Sequence, residues 1–211
     1  MEHEKNDSQY IENKDEELLE DPKKSQAGKK FLLGFFDLIK TVVLIAVLTY
    51  AIRLFVIQPF IVEGQSMEPS FRNSDYLITE KISLRMRQIG RGEIVIFHPP
   101  ENTEINYIKR VVGLPGDTIN LKNGKVMLNG KQLGEPYLSS NDQTSSVGNQ
   151  GFTATLKEGE YFVMGDNRSH SRDSRELGAI PLHNIVSRVW FRLLPINNVR
   201  AFAAVSYGQL P

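Results

Sequence analysis

The sequence predicts a mainly β domain that follows a single apolar helix. Two observations predict it. Residues 31–62 are dominated by apolar side chains, and from Pro59 onward the pattern changes to short apolar runs separated by turn residues. The size agrees: 211 residues, 40% of them apolar, suffice for one folded domain plus additional segments.

The first segment, residues 1–34, reads as a polar tail. Residues 1–22 hold 9 acidic side chains against 2 lysines, and Lys23, Lys24, Lys29 and Lys30 follow. Such a charge run is a solvated segment that builds no core. The apolar stretch comes next. Its uncharged run, Thr41–Ile52, has 12 residues, about 18 Å as helix, whereas a bilayer core needs about 30 Å. The stretch is long enough if Lys40 and Arg53 lie near the ends and extend outward, and Asp37 and Lys40 are spaced to pair on one helix face. We therefore expect a membrane span over 35–57, because the apolar residues run all round the helix and not along one stripe. No small-x-small cleavage site follows it, so a retained anchor is expected. The lysines at 23–30 precede the span, and only Arg72 is basic within the first 15 residues after Ile57. This bias predicts a cytoplasmic N-terminus and an extracytoplasmic domain over 58–211 in a single-pass plasma-membrane protein.

Within 58–211, strands are expected at Tyr76–Thr79, Glu93–Phe97, Tyr107–Val112, Lys125–Leu128, Lys131–Leu133, Phe152–Leu156, Tyr161–Met164 and Ile185–Leu194. Asn129-Gly130 is a hairpin turn, and Pro115-Gly116-Asp117 is a second turn. Residues 139–151 read as a surface loop, and Ile82–Gln88 is the one helical candidate.

The chain has no cysteine and a formal net charge of zero. Thiolate chemistry and cysteine-ligated metal are excluded, and no basic region suggests nucleic acid as a partner. Among the serines, Ser66 has a distinctive setting. Gly64 precedes it, Pro69 follows it, and it stands at the exit of the apolar segment. A serine hydroxyl needs a base to become a nucleophile, and two candidates stand open. One is a Ser66–His170–Asp173 triad, although His170 lies in a polar, charged run; His98 and His183 are the other histidines beyond the tail. The second is Lys109, inside the strand-like run Asn106–Val112. Alternation places Tyr107, Lys109 and Val111 on one face, with Arg110 on the other and free to reach solvent. A lysine held among apolar groups loses hydration of its charged form, and its pKa falls toward the range of a useful base. The plain alternative is an edge-strand lysine whose amine reaches water. The run Met164–Arg175, dense in Asp, Asn, Ser and Arg, reads first as a self-capping loop.

Three segments together resemble the bacterial type I signal peptidases, membrane-bound Ser/Lys proteases, in their smaller Gram-positive form. They are Ser66-Met67-x-Pro69; Tyr107-x-Lys109-Arg110-x-x-Gly113-x-Pro115-Gly116-Asp117; and Gly165-Asp166-Asn167-Arg168-x-x-Ser171-x-Asp173-Ser174-Arg175. The resemblance implies the signal-peptidase β-sheet fold, Ser66 as nucleophile and Lys109 as general base. It implies that Ser171 orients the lysine, that Asp173 and Arg175 form a supporting ion pair, and that the Ser66 N–H serves the oxyanion hole. Some members add a hydroxyl two residues before the nucleophile, where this chain has Gly64. Phe60, Val62, Gly64, Met67, Ile96, Tyr107 and Ile108 match positions lining pockets for small residues, so cleavage of secretory preproteins after Ala-x-Ala is implied, without metal or cofactor. Phe60, Ile61, Trp190 and Phe191 are candidates for a surface that meets lipid. The competing readings are a Ser/Lys autoprotease on the same scaffold and a tethered β module that only binds peptides. The apolar anchor weighs against the first, and the presence of both Ser66 and Lys109 against the second.

Overall fold

A computed structural model describes residues 22–138, 144, 152–202 and 207. The chain divides into two compact units, residues 1–51 and 52–211. Helix α1 spans Pro22–Phe55. It begins earlier than the apolar stretch, at a proline suited to a first helical turn, and ends before Ile57, which already belongs to a strand. Its segment Lys30–Arg53, 24 residues, is long and apolar enough to cross a membrane. Side chains on all sides of that segment are exposed, Phe31, Leu38, Val42, Ile45 and Leu48 among them. Lys40 lies 3.3 Å from Asp37, the pairing expected from their spacing.

The second unit is built from antiparallel sheets. The strands in chain order are β1 (Ile57–Ile61), β2 (Tyr76–Glu80), β3 (Ile94–Phe97), β4 (Tyr107–Gly113), β5 (Thr118–Lys122), β6 (Lys125–Leu128), β7 (Lys131–Gln132), β8 (Phe152–Thr155), β9 (Glu160–Met164), β10 (Ile180–Pro181), β11 (Ile185–Leu194) and β12 (Arg200–Ala201). The larger sheet runs β1-β2-β11-β3-β4-β9-β10, with β12 also on β11; the smaller runs β7-β6-β5-β8. Short helices α2 (Ile82–Met86) and α3 (Ser174–Leu177) complete the unit.

Most strands fall where the apolar alternation puts them. The differences have local causes. β1 contains Pro59, which argues against an interior strand but is allowed at a sheet edge, and β1 is that edge. β5 is short and lies between two turns, the second at Asn123-Gly124, whose positive φ angles of 52° and 72° suit a tight hairpin. β10 and β12 have two residues each and carry no readable period. The 139–151 loop lies outside the described residues except for Thr144.

Three apolar clusters hold the unit together. One joins the smaller sheet to β4 and β9 through Val112, Ile119, Leu128 and Phe162. A second gathers Val95, Phe97, Val111, Val163 and Ile180. A third gathers Val62, Met67, Phe71, Leu77, Ile96 and Val189. Strand β4 meets all three, since Ile108 packs on the third. From Lys109 to Gly113 every residue is buried. β4 therefore lies inside the sheet with both faces covered, and any charge it carries must be answered by protein groups.

Gly113 marks a tight point in the packing of β4. A β-carbon there would lie 2.8 Å from Leu156 Cδ1 and 2.9 Å from Phe162 Cβ. Overpacking of this kind costs about 1–3 kcal/mol. Gly113→Ala is expected to lower the denaturation midpoint correspondingly at unchanged m-value, measured by urea unfolding.

Candidate active site

Lys109 is 4% exposed. Its Nζ lies 2.9 Å from Ser66 Oγ and 2.9 Å from the Ile108 carbonyl, to which it donates. The Tyr107 ring stands 5.3 Å from the same nitrogen. Burial lowers the Lys109 pKa from 10.5 to about 8, against the pull of Asp173 and Asp166, which raise it; Arg175 adds to the lowering. The amine is thus neutral in a substantial fraction of molecules just below pH 8, and its lone pair then faces a hydroxyl within hydrogen-bond distance.

Ser66 is held by the segment that follows β9. The Asn167 N–H donates to the Ser66 carbonyl at 3.0 Å, and Asn167 Nδ2 donates to the Gln65 carbonyl at 3.2 Å. Gly64 takes φ +90° and donates its N–H to Asn73 Oδ1. This turn needs glycine, since other residues are strained at such an angle. Among the described residues, the Ser66 N–H makes no hydrogen bond.

Around this pair stand two buried ion pairs. Arg110 grips Asp166 with two bonds, Nε to Oδ1 at 2.8 Å and a terminal nitrogen to Oδ2 at 2.6 Å. It also donates to the Gly92 carbonyl and lies 4.1 Å over the Tyr137 ring. The expectation that Arg110 reaches solvent is therefore corrected: it is 3% exposed, because the opposite face of β4 is also covered. Asp173 forms the second pair with Arg175, Nε to Oδ1 at 2.8 Å, and caps α3 by accepting the Arg175 N–H. Burial pushes the Asp173 carboxyl up. The Arg175 guanidinium, the Gly165 N–H and the Ser171 hydroxyl outweigh it and hold Asp173 below the usual carboxylate range. Arg168 is a third buried arginine, bound to Glu135.

The comparisons with known proteins show the family. The family model described as signal peptidase, peptidase S26, matches residues 35–194. The chain belongs to the signal peptidase family, peptidase S26. It is 37% identical over 173 residues to a signal peptidase I of Bacillus licheniformis, covering 79% of this chain and 92% of that one. It is 36% identical over 182 residues to signal peptidase I T of Bacillus subtilis, covering 83% and 93%. A crystal structure of a signal peptidase I from Enterococcus faecalis is 31% identical, spans 48% of this chain and 97% of that one, and superposes with a TM-score of 0.41. The mainly β signal peptidase fold with an N-terminal apolar helix and the serine-peptidase class follow for this chain.

Beside Ser66 and Lys109 opens a cleft of about 580 Å³. Of the residues expected to line it, Phe60, Val62, Ile96, Tyr107 and Ile108 do so. Gly64 and Met67 do not: Gly64 turns the chain before Ser66, and Met67, 1% exposed, is absorbed into the core beside Phe71. Leu77, Ile105 and Arg172 complete walls that the sequence reading did not anticipate. Ser171 donates to Asp173 at 2.8 Å and not to the amine, so the direct orientation of Lys109 expected of it is replaced by a link through the Asp173 charge. The histidine alternative fails on geometry. His170 is exposed and its Nδ1 meets Ser169 and Asn167, while His98 meets the Ile105 carbonyl. Among the described residues no three His, Asp or Glu side chains cluster closely enough to hold a metal ion.

Gly165 sits where these groups converge. A β-carbon on it would lie 2.2 Å from Ser171 Oγ and 2.5 Å from the Ser66 carbonyl oxygen. Gly165→Ala must displace the Ser66 turn or Ser171. A shift of about 1 Å at reacting groups can cost about a hundredfold in rate. We expect a loss of that order in kcat/KM, read with a precursor-processing assay on folded, detergent-solubilised enzyme.

Proposed function

We propose that this signal peptidase cuts signal peptides from secretory preproteins with Ser66 as nucleophile and Lys109 as general base, while α1 anchors it in the plasma membrane. The observation that carries the reading is the 2.9 Å approach of a buried amine, its pKa lowered to about 8, to Ser66 Oγ. In the proposed first step the neutral Lys109 takes the Ser66 proton as Oγ bonds to the scissile carbonyl carbon. The Ser66 N–H, which makes no hydrogen bond among the described residues, is assigned to the oxyanion that forms. Lys109 then gives the proton to the departing amine, leaving an ester on Ser66. Water, deprotonated by the same amine, attacks the ester, and the proton returns to Oγ as the acid product leaves. Gly64 offers no side-chain donor, so the main chain carries the oxyanion contact.

The apolar cleft walls of Phe60, Val62, Leu77, Ile96, Ile105 and Ile108 support a preference for small apolar side chains, hence Ala-x-Ala-like sites. β1 is the sheet edge, and its residues Phe60 and Ile61 line the cleft. An extended peptide can lie along such an edge. Lys23, Lys24, Lys29 and Lys30, in the first part of α1 ahead of its apolar stretch, favour a cytoplasmic N-terminus and an outward-facing catalytic unit. Trp190 and Ile61 are more than half exposed, which supports a lipid-facing role for that surface over ordinary core packing. Ser171, Asp173 and Arg175 are assigned to holding the Lys109 environment.

Ser66→Ala and Lys109→Met should each reduce precursor processing by at least about a thousandfold, with the fold retained by circular dichroism. Processing at wild-type rate by either variant would overturn the dyad. The pH dependence follows from the lowered lysine pKa. Only the deprotonated amine can act as base, so kcat/KM should rise with pH along a limb with its midpoint near 8 and fall about tenfold for each pH unit below it. A rate independent of pH from 5 to 9 would overturn Lys109 as the base.

A further inference from the structure

Arg172 lies between Ser171 and Asp173 but points away from their buried bonds. Its side chain is half exposed and lines the cleft beside Ile105, Asn106 and Tyr107. A terminal guanidinium nitrogen lies 2.6 Å from Glu101 Oε1, Nε lies 3.5 Å from Glu176 Oε2, and the group also interacts with the Tyr107 side chain. Glu101 belongs to the turn that joins β3 to β4 and ends in the cleft wall. The base of that turn is fixed: Asn184 exchanges bonds with His98 N–H and carbonyl, and His98 Nδ1 meets the Ile105 carbonyl at 2.9 Å. The outer part of the turn, with Glu101, is tied by Arg172 to the segment that carries Ser171 and Asp173.

We propose that the Arg172–Glu101 pair is a specificity clasp, which holds the wall of residues 105–107 against the catalytic segment and so limits the side-chain size the cleft admits. The proposal rests on the peptidase reading above. An exposed ion pair adds little to global stability. Its loss therefore loosens the wall while the unit stays folded. The amine and hydroxyl are held by other bonds, so the chemical step is spared.

The test uses the full chain in detergent and a peptide series with Ala, Val or Leu three residues before the cut. Arg172→Ala and Glu101→Gln should each raise KM for the Ala peptide about two- to fivefold, as an exposed pair allows, and weaken the preference for Ala over Leu. The kcat and the midpoint of the pH limb should not move. The exchanged double variant, Arg172→Glu with Glu101→Arg, made together with Glu176→Gln to remove the like charge four residues on, should recover most of the wild-type KM. Added salt should raise KM of the wild type more than that of Arg172→Ala, which leaves no guanidinium to pair with Glu101 or Glu176. Single variants with wild-type KM and wild-type Ala-over-Leu preference would overturn the clasp. So would a fall in kcat with a shifted pH limb, which would place Arg172 in the Lys109 environment instead. A wild type that cuts no peptide of the series overturns the peptidase reading and the clasp with it; one that cuts while the variants match it overturns the clasp alone.

Discussion

An amine kept from water is the constraint to which the rest of this unit is fitted. Lysine is ordinarily protonated far above neutral pH, and only burial brings Lys109 down to about 8. Burial has a thermodynamic consequence with a definite sign. The unfolded chain keeps the proton up to about 10.5, while the folded one releases it near 8. Between those values the unfolded state binds more protons, so stability rises with pH; below 8 the full penalty applies, on the order of 3 kcal/mol. The three apolar clusters that meet β4 must carry that penalty. This explains why the proposed base stands on a strand covered on both faces and not on a rim loop.

The proposed nucleophile is placed by different means. Ser66 lies on a turn between β1 and β2, far in sequence from Lys109, and the segment after β9 holds it. Asn167 binds the Ser66 carbonyl and Asn167 Nδ2 the Gln65 carbonyl, and Gly165 lets the two chains approach more closely than a β-carbon permits. The same segment sends Asp166 to Arg110 and Asp173 to Arg175. Scaffold and proposed active site are thus one structure. The hydrogen bonds that cap α3 and close the loop also fix the distance between amine and hydroxyl.

Much of this was legible in the sequence. Period-two runs placed the longer strands, and the apolar stretch of residues 31–62 placed a helix over 35–57, though not its start at Pro22 within the expected polar tail. Ser66 and Lys109 stood out by setting, and the three motif segments joined them. What could not be read has identifiable causes. Alternation says which residues share a face but not whether the other face is covered, so Arg110 was expected in solvent. Met67 is apolar beside a reactive serine, and only tertiary packing decides between cleft wall and core; the core won. Leu77 and Ile105 reach the cleft from β2 and from the turn before β4, a juxtaposition that no local pattern encodes. The Ser171 hydroxyl donates to Asp173, two residues on, a pairing that spacing alone does not reveal.

The choice of lysine also explains the arginines. Asp166 and Asp173 both act to raise the Lys109 pKa, and an unanswered carboxylate in a dry site would draw the proton back to the amine. Each is instead held by its own guanidinium, Arg110 with two bonds to Asp166, and Arg175 with bonds to both oxygens of Asp173. Arg175 itself adds to the lowering of the amine pKa. Breaking a buried pair leaves an uncompensated charge, which costs more than the pair contributes when intact. Beside the proposed lysine base that charge has a second effect, because it decides whether the amine carries a proton. The two pairs therefore tune the site as well as brace it. A carboxylate that keeps its arginine leaves Lys109 near 8, whereas one that loses it moves the amine toward the protonated form that cannot accept the Ser66 proton.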